Sequence, residues 1–269
     1  MSPLLTVITP TLDVEDTVAA TLRSIAATAQ PPEVEHIVVD GGSKDRTIAI
    51  VKDMAPQAQI VEQTGRGISQ ALNLALQRAR GRFVAALNGD DAWCPAGMRR
   101  ALDVAASSAS DSLIYGNADL LDPRTGVRWR RAATHHHLDR YMSLYHPAML
   151  VPLALHQRLG HYDEDYALAM DCEFVHRALA AGTDFVHVPE RIATMRLGGR
   201  SHEQNAAAMR EFERSVVRHG LRRPLSARYF RIRQTAFHEL HRYRWFQRVW
   251  ASLRAPARSA AADTRYPEP

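Results

Sequence analysis

Four short polar stretches follow apolar runs in the first third of the chain: Thr9-Pro10-Thr11, Asp40-Gly41-Gly42, Glu62-Gln63 and Asn88-Gly89-Asp90-Asp91. Adjacent carboxylates such as Asp90 and Asp91 can hold a hard divalent cation, magnesium or manganese, through oxygen, and such a cation neutralises a diphosphate. The same pair also suits a helix cap ahead of Pro95 or a polar turn, and spacing alone leaves both open. Asp40 poses the same alternative, a ligand contact or a strand-to-helix turn. The glycines beside these acids leave room for a ligand to approach the backbone. No G-x-G-x-x-G follows the first apolar run and no G-x-x-x-x-G-K-[ST] occurs, which disfavours dinucleotide and P-loop phosphate sites.

Elements that would position these residues are legible in the periodicity. LLTVIT (4–9), EHIVVD (35–40), AQIVEQ (58–63) and RFVAALN (82–88) read as buried strands. Between them, Val14, Val18, Leu22 and Ile25 recur at helical spacing, SKDRTIAIVKDM reads as a helix with Ser43 as N-cap, and ISQALNLALQRA presents one apolar face. Strands alternating with helices predict a mostly parallel sheet covered on both sides, and ligands of such sheets bind beyond the carboxyl ends of the strands. All four polar stretches fall at those ends. Further on, Pro95 suits the first turn of a helix through Met98 and Leu102. SLIYGNADLLD and GVRWRRA read as a hairpin, and DCEFVHRALAAG as a helix stopped by Gly182. DFVHVPE and RIATMRL read as two more strands. SHEQNAAAMREFERSVVRHG reads as a helix with Ser201 and Gln204 at capping-box spacing.

With 269 residues, 46% of them hydrophobic and 23% charged, the chain is long enough to bury a sizeable core without staples. Cys94 and Cys172 form no C-x-x-C pair, so free thiols are expected rather than a structural zinc site. Neither a secretory leader nor an apolar run of membrane-spanning length is evident, and the expectation is a cytoplasmic protein. Charge is uneven: Arg218 to Arg258 hold eleven arginines against one acid, Glu239, within a net charge of +5 for the whole chain. Across this basic stretch Tyr229, Ile232, Ala236, Leu240, Tyr243, Phe246, Trp250 and Leu253 step by three or four residues. That is a basic amphipathic helix. It would lie on an anionic membrane surface, or pack its stripe on the globule or on a second subunit in a homodimer. No nucleic-acid module accompanies the charge, so no nucleic acid is expected. His135, His136 and His137 are consecutive and cannot all reach one ion from regular structure, which favours a solvated loop.

TVITPTLDVEDTVAATLRSI, EHIVVDGGSKDRT and GRGISQALNLALQRARGRFVAALNGDDAW, in this order and spacing, resemble the GT-A nucleotide-sugar domain of inverting glycosyltransferases of family 2. YGNADLLD, HPAMLVPLALHQRLGHYDEDYALAMDCEFVHRAL and LGGRSH extend the resemblance to about residue 203. It implies an α/β GT-A domain over 1–220; the basic amphipathic pattern adds a helical extension over 221–256, and the low-complexity end a disordered tail over 257–269. Thr9 and Pro10 would line the nucleotide pocket, with Asp40 and Gly41 at the base, usually uracil, and Asp90 toward the ribose. Asp91 would hold the metal, with His202 as a further metal or phosphate contact. Asp171, in AMDCEF, would be the catalytic base, although a helix N-cap is the plainer role for it. Arg66 and Arg200 would clamp the diphosphate, or simply be exposed. The implied reaction moves a sugar, most often from a UDP donor, to a saccharide or lipid-linked acceptor during polysaccharide or glycoconjugate synthesis, at the inner face of a membrane if the basic helix binds one. One departure concerns the donor: Gln70 stands where related sequences often carry aspartate. A nucleotidyltransferase would want a Gly- and Lys-rich loop where TPTLDVED stands, and a non-catalytic nucleotide-sugar binder or scaffold would not need Asp40, Asp90, Asp91 and Asp171 together.

Overall fold

The computed structural model of the chain describes residues 2–28, 32–108, 111–198 and 204–241. Its N-terminal third is the alternating pattern: β1 (Leu5–Thr11), α1 (Val18–Ala26), β2 (Val34–Asp40), α2 (Thr47–Met54), β3 (Gln59–Glu62), α3 (Ile68–Leu76) and β4 (Phe83–Ala86). β1 pairs in parallel with β2 and β4, and β2 with β3. Successive residues of a strand point to opposite faces, so each strand feeds two cores. Ile8, Ile37, Val39 and Val61 join Ala71 and Leu72 of α3 on one face. Leu5, Val7, Phe83 and Ala85 join Ile25 of α1 on the other.

The remaining elements complete a mixed sheet. They are β5 (Ala92–Trp93), α4 (Pro95–Ser107), β6 (Leu113–Leu121), β7 (Arg128–Arg131), β8 (Met149–Pro152), α5 (Leu153–Leu159), α6 (Met170–Ala180), β9 (Phe185–Arg196), α7 (Asn205–Arg218) and α8 (Pro224–His241). The strand order is β3-β2-β1-β4-β8-β6-β9-β5, with β7 paired to β6. β8 joins the two parts by pairing antiparallel with both β4 and β6. Gly97 of α4 lies so close under β9 that a Cβ would fall 1.9 Å from the carbonyl oxygen of Arg191, a position only glycine can fill.

Two sequence expectations change. DFVHVPE and RIATMRL form one strand, β9, because the register against β6 jumps from Gly116–Val188 to Asn117–Arg191 and leaves Pro189 and Glu190 in a bulge. Ser43 does not cap a helix. Its hydroxyl turns back to Asp40 Oδ1 at 2.6 Å, and α2 starts later, where Asp45 Oδ1 accepts from the Thr47 N–H. The predicted Ser201 cap and the tail over 257–269 lie outside the described residues. The triple histidine forms a 3-10 turn in the loop after β7 with none of the three rings buried, and His135 Nδ1 lies 2.9 Å from the Tyr115 hydroxyl. Both cysteines are free.

Two buried histidines make the core sensitive to acid. His156 is fully buried, its ring stacks on Phe174 at 4.2 Å, and neither ring nitrogen has a partner among the described residues. Burial pushes its pKa down to about 3. His176, also fully buried between Ser215 and the Leu138 carbonyl, is pushed down to about 4, again chiefly by burial. Above about pH 6.5 both histidines are neutral in the folded and unfolded chain alike. As pH falls below that, the unfolded chain takes up protons that the folded chain refuses, so stability drops until the folded pKa is reached. Each histidine costs at most about 1.4 kcal/mol per pH unit in that window. Denaturant midpoints measured from pH 7 down to 5 should fall, and His156→Leu should flatten the slope; a slope unchanged by that substitution would exclude His156 as its source.

Candidate active site

The register brings the ends of the parallel strands level: Thr11 lies opposite Asp40, and Asp40 opposite Glu62. Asp40 is buried and holds its own turn. Oδ2 accepts from the N–H groups of Gly42 (3.1 Å) and Ser43 (3.0 Å), and Oδ1 from the Ser43 hydroxyl and, at 3.3 Å, that of Thr11. The loop after β1 is stitched to this turn: Asp13 Oδ1 accepts from the Lys44 N–H at 2.7 Å, and Asp45 Oδ2 from that of Glu15 at 3.0 Å. Thr9 is buried behind the rim, its hydroxyl 2.9 Å from His36 Nε2. Pro10 is half-buried, and Arg66 is exposed in the loop ahead of α3.

Gln70, the departure noted in the sequence, lies under that loop. A Cβ on Gly65 would come within 2.9 Å of the Gln70 Cδ, and Gln70 Oε1 is buried without a partner among the described residues.

Beyond β4 the chain turns through Asn88-Gly89-Asp90-Asp91. Asp91 is 3% exposed. Its Oδ1 accepts from the Arg196 N–H at the end of β9 (2.8 Å), and its Oδ2 from Asn88 Nδ2 at 3.3 Å. Burial, and next the negative charge of Asp90, push its pKa up to about 8. Burial also raises Asp90, against the pull of Arg196. Asn88 Oδ1 is buried with no partner among the described residues. A cavity of about 520 Å³ opens here, lined by Asp16, Asp90, Asp91, Arg128, Arg191 and Arg196. These oxygens are the donor type that magnesium or manganese prefers. Among the described residues no group of three or more His, Cys, Asp or Glu converges on one point. His202 and Arg200 lie outside the described residues.

Asp171 stands in the first turn of α6, half-buried, with Oδ1 accepting from the Cys172 N–H at 2.8 Å. Its charge acts on two buried groups. The His146 imidazole is held below its usual range by burial, with Asp171 pulling the other way. The Tyr162 hydroxyl is held well above its usual range by burial and then by Asp171. His146 Nε2 and Tyr162 Oη are 3.0 Å apart. The Trp93 indole N–H donates to the Pro147 carbonyl at 2.9 Å, tying the limb after Asp91 to the turn that holds His146.

Three further residues escaped the sequence reading. Asn73 of α3 clasps Tyr162 in both directions, Nδ2 to the carbonyl (2.9 Å) and Oδ1 from the N–H (3.0 Å). Tyr162 itself had no signal in the sequence. Glu211 of α7 accepts from three consecutive N–H groups, Ala167 (3.2 Å), Leu168 (2.9 Å) and Ala169 (2.8 Å), immediately before α6. No local pattern announces a bond across some forty residues.

The profile of glycosyl transferase family 2 matches residues 6–149. A PGL/p-HBAD biosynthesis glycosyltransferase of Mycobacterium bovis is 31% identical over 199 residues, covering 70% of this chain and 75% of that protein. The chain belongs to glycosyl transferase family 2. Two solved structures agree in fold with this family 2 transferase. S. aureus TarS 1–349 in complex with UDP-GlcNAc aligns at a TM-score of 0.64 and 20% identity, over 79% of this chain and 66% of that one. Against the longer TarS chain the match spans 39% of its length. The mannosyltransferase PcManGT from Pyrobaculum calidifontis, in complex with GDP-Man and Mn2+, aligns at 0.64 and 19% identity, over 95% of this chain and 85% of that one. The mixed sheet with flanking helices is therefore a GT-A glycosyltransferase fold.

Proposed function

We propose that this family 2 protein is an inverting, metal-dependent transferase that moves a sugar from a nucleotide-sugar donor, a UDP-sugar, to a saccharide or lipid-linked saccharide in polysaccharide or glycoconjugate synthesis. The observation that carries the reading is Asp91, a carboxylate buried at the end of a parallel strand beside a second carboxylate and an amide oxygen that has no partner among the described residues. A bare charge there is costly, and binding a divalent cation removes the cost. Asp91, with Asn88 Oδ1 and His202, would hold magnesium or manganese, which supplies charge stabilisation for the departing diphosphate. PcManGT carries Mn2+ and TarS a UDP-sugar, which supports both halves of this reading.

Roles for the rest follow from chemistry. Thr9, Pro10, Asp40 and Gly41 would form the nucleotide wall, with Asp90 toward the ribose and Arg66 beside the diphosphate. The four hydrogen bonds already on Asp40 mean that a base must share or displace one of them, most simply the long one from Thr11. In an inverting transfer the acceptor hydroxyl attacks the anomeric carbon from the side opposite the diphosphate and gives its proton to one base. Asp171 is that base, and no covalent nucleophile is required. An acceptor carried on lipid would place the enzyme peripherally at the inner face of a membrane, as a monomer or a homodimer.

A panel of UDP- and GDP-sugars, titrated calorimetrically with manganese and scored for turnover, tests the reading. Metal-dependent binding and hydrolysis confined to UDP-sugars is expected. A preference for GDP-sugars would overturn the donor assignment, and binding without turnover on diverse acceptors would mark a nucleotide-sugar binder.

A further inference from the structure

The basic C-terminal segment has a definite face. α8 is held by one side: Ala227 is buried in a cluster with Ala169, Cys172, Phe212 and Val216, and Arg231 pairs with Glu213. The opposite side carries Leu225 (85% exposed), Tyr229 (68%) and Ile232 (52%), followed by exposed Ala236. Steps of four, three and four residues put these side chains on one stripe. Arg228 and Arg233 flank it on either side, and Arg223 precedes it; all three are exposed. Over the described residues 225–236 the stripe therefore does not pack on the globule. The same spacing continues in the sequence through Tyr243, Phe246, Trp250 and Leu253, which lie outside the described residues.

We propose that this face of α8, Leu225-Tyr229-Ile232 with its flanking arginines, seats the protein on an anionic lipid surface, with the helix lying in the plane of the interface. An exposed apolar stripe bordered by arginine is the arrangement that inserts shallowly among acyl chains while the guanidinium groups meet lipid phosphates. Charge argues against a second copy of the chain. Two such faces brought together would oppose like charges from a segment with eleven arginines and one acid between Arg218 and Arg258. A nucleic acid would satisfy the arginines but would leave the apolar stripe in water. Among the described residues no helix is long and apolar enough to cross a membrane, so this contact lies on the surface. Its biological sense rests on the lipid-linked acceptor read above. Lipid partition is measured without any sugar transfer, so either reading can fail alone.

The test is co-sedimentation of the full-length protein with vesicles of phosphatidylcholine, alone or mixed with phosphatidylglycerol, at low and high salt. Partition onto the anionic vesicles is expected, weakening with salt. Arg223→Gln with Arg228→Gln should weaken it by about fivefold per arginine. Tyr229→Ser with Ile232→Ser should weaken it by roughly tenfold or more, through lost apolar contact. Circular dichroism and UDP binding of both variants should match the parent protein. Equal partition onto neutral and anionic vesicles, or partition untouched by the Tyr229/Ile232 pair, would overturn the proposal. So would a dimer in light scattering that the same pair dissociates, since that assigns the face to a second copy.

Discussion

Asp171→Asn is expected to lower sugar transfer by roughly 10²–10⁴-fold, the usual contribution of a positioned general base, while donor affinity stays at the parent value. The substitution is close to isosteric. Asparagine keeps the oxygen that accepts the Cys172 N–H at 2.8 Å, so the first turn of α6 keeps its bond. On the proposed mechanism, what disappears is proton affinity at the point where the acceptor hydroxyl must be relieved of its proton. If Asp171 were only closing the helix end, asparagine would do that as well and transfer would persist. Single-turnover transfer alongside UDP-sugar calorimetry separates the two, and full transfer by the variant would falsify the base assignment.

Asp91→Asn should have two opposed effects. Metal-dependent donor turnover should fall by roughly 10²–10³-fold or more, because charge on the leaving diphosphate loses its stabilising partner. Thermal stability should hold or rise. The carboxylate is 3% exposed, and an amide keeps an acceptor for the Arg196 N–H. Asn88 can rotate its amide so that its oxygen, without a partner among the described residues, meets the new N–H. Loss of activity with a higher melting temperature is the signature of a group kept for function at a cost in stability. A variant that still turns over donor in proportion to added manganese would remove Asp91 from the metal site.

The N-terminal third was legible because its physics is local. Strands buried on both faces read as apolar runs, and the polar residues that follow them fall at the ligand edge of a parallel sheet. Reading failed where a distant group competed. Ser43 has the composition of a cap, but the Asp40 carboxylate lies within reach and takes its hydroxyl. Pro189 looks like a strand end, but β6 tolerates it as a bulge and β9 continues past it. His146 is buried, bonded to Tyr162 and within the field of Asp171, a setting made by residues 16 and 25 positions further along the chain. Asn73 and Glu211 were invisible because each acts on backbone far along the chain.

Glu211 also sets a limit on trimming. The family profile ends at residue 149, before Asp171 and well before α7. A fragment cut at that border would lose the proposed base outright. One cut just after α6 would keep Asp171 but leave three adjacent N–H groups at 167–169 without their acceptor. If Asp171 is the base, a working fragment is expected to need α7 through Arg218. Chimeras that exchange C-terminal helices between relatives must carry residues 167–169 and 211 across as one cassette.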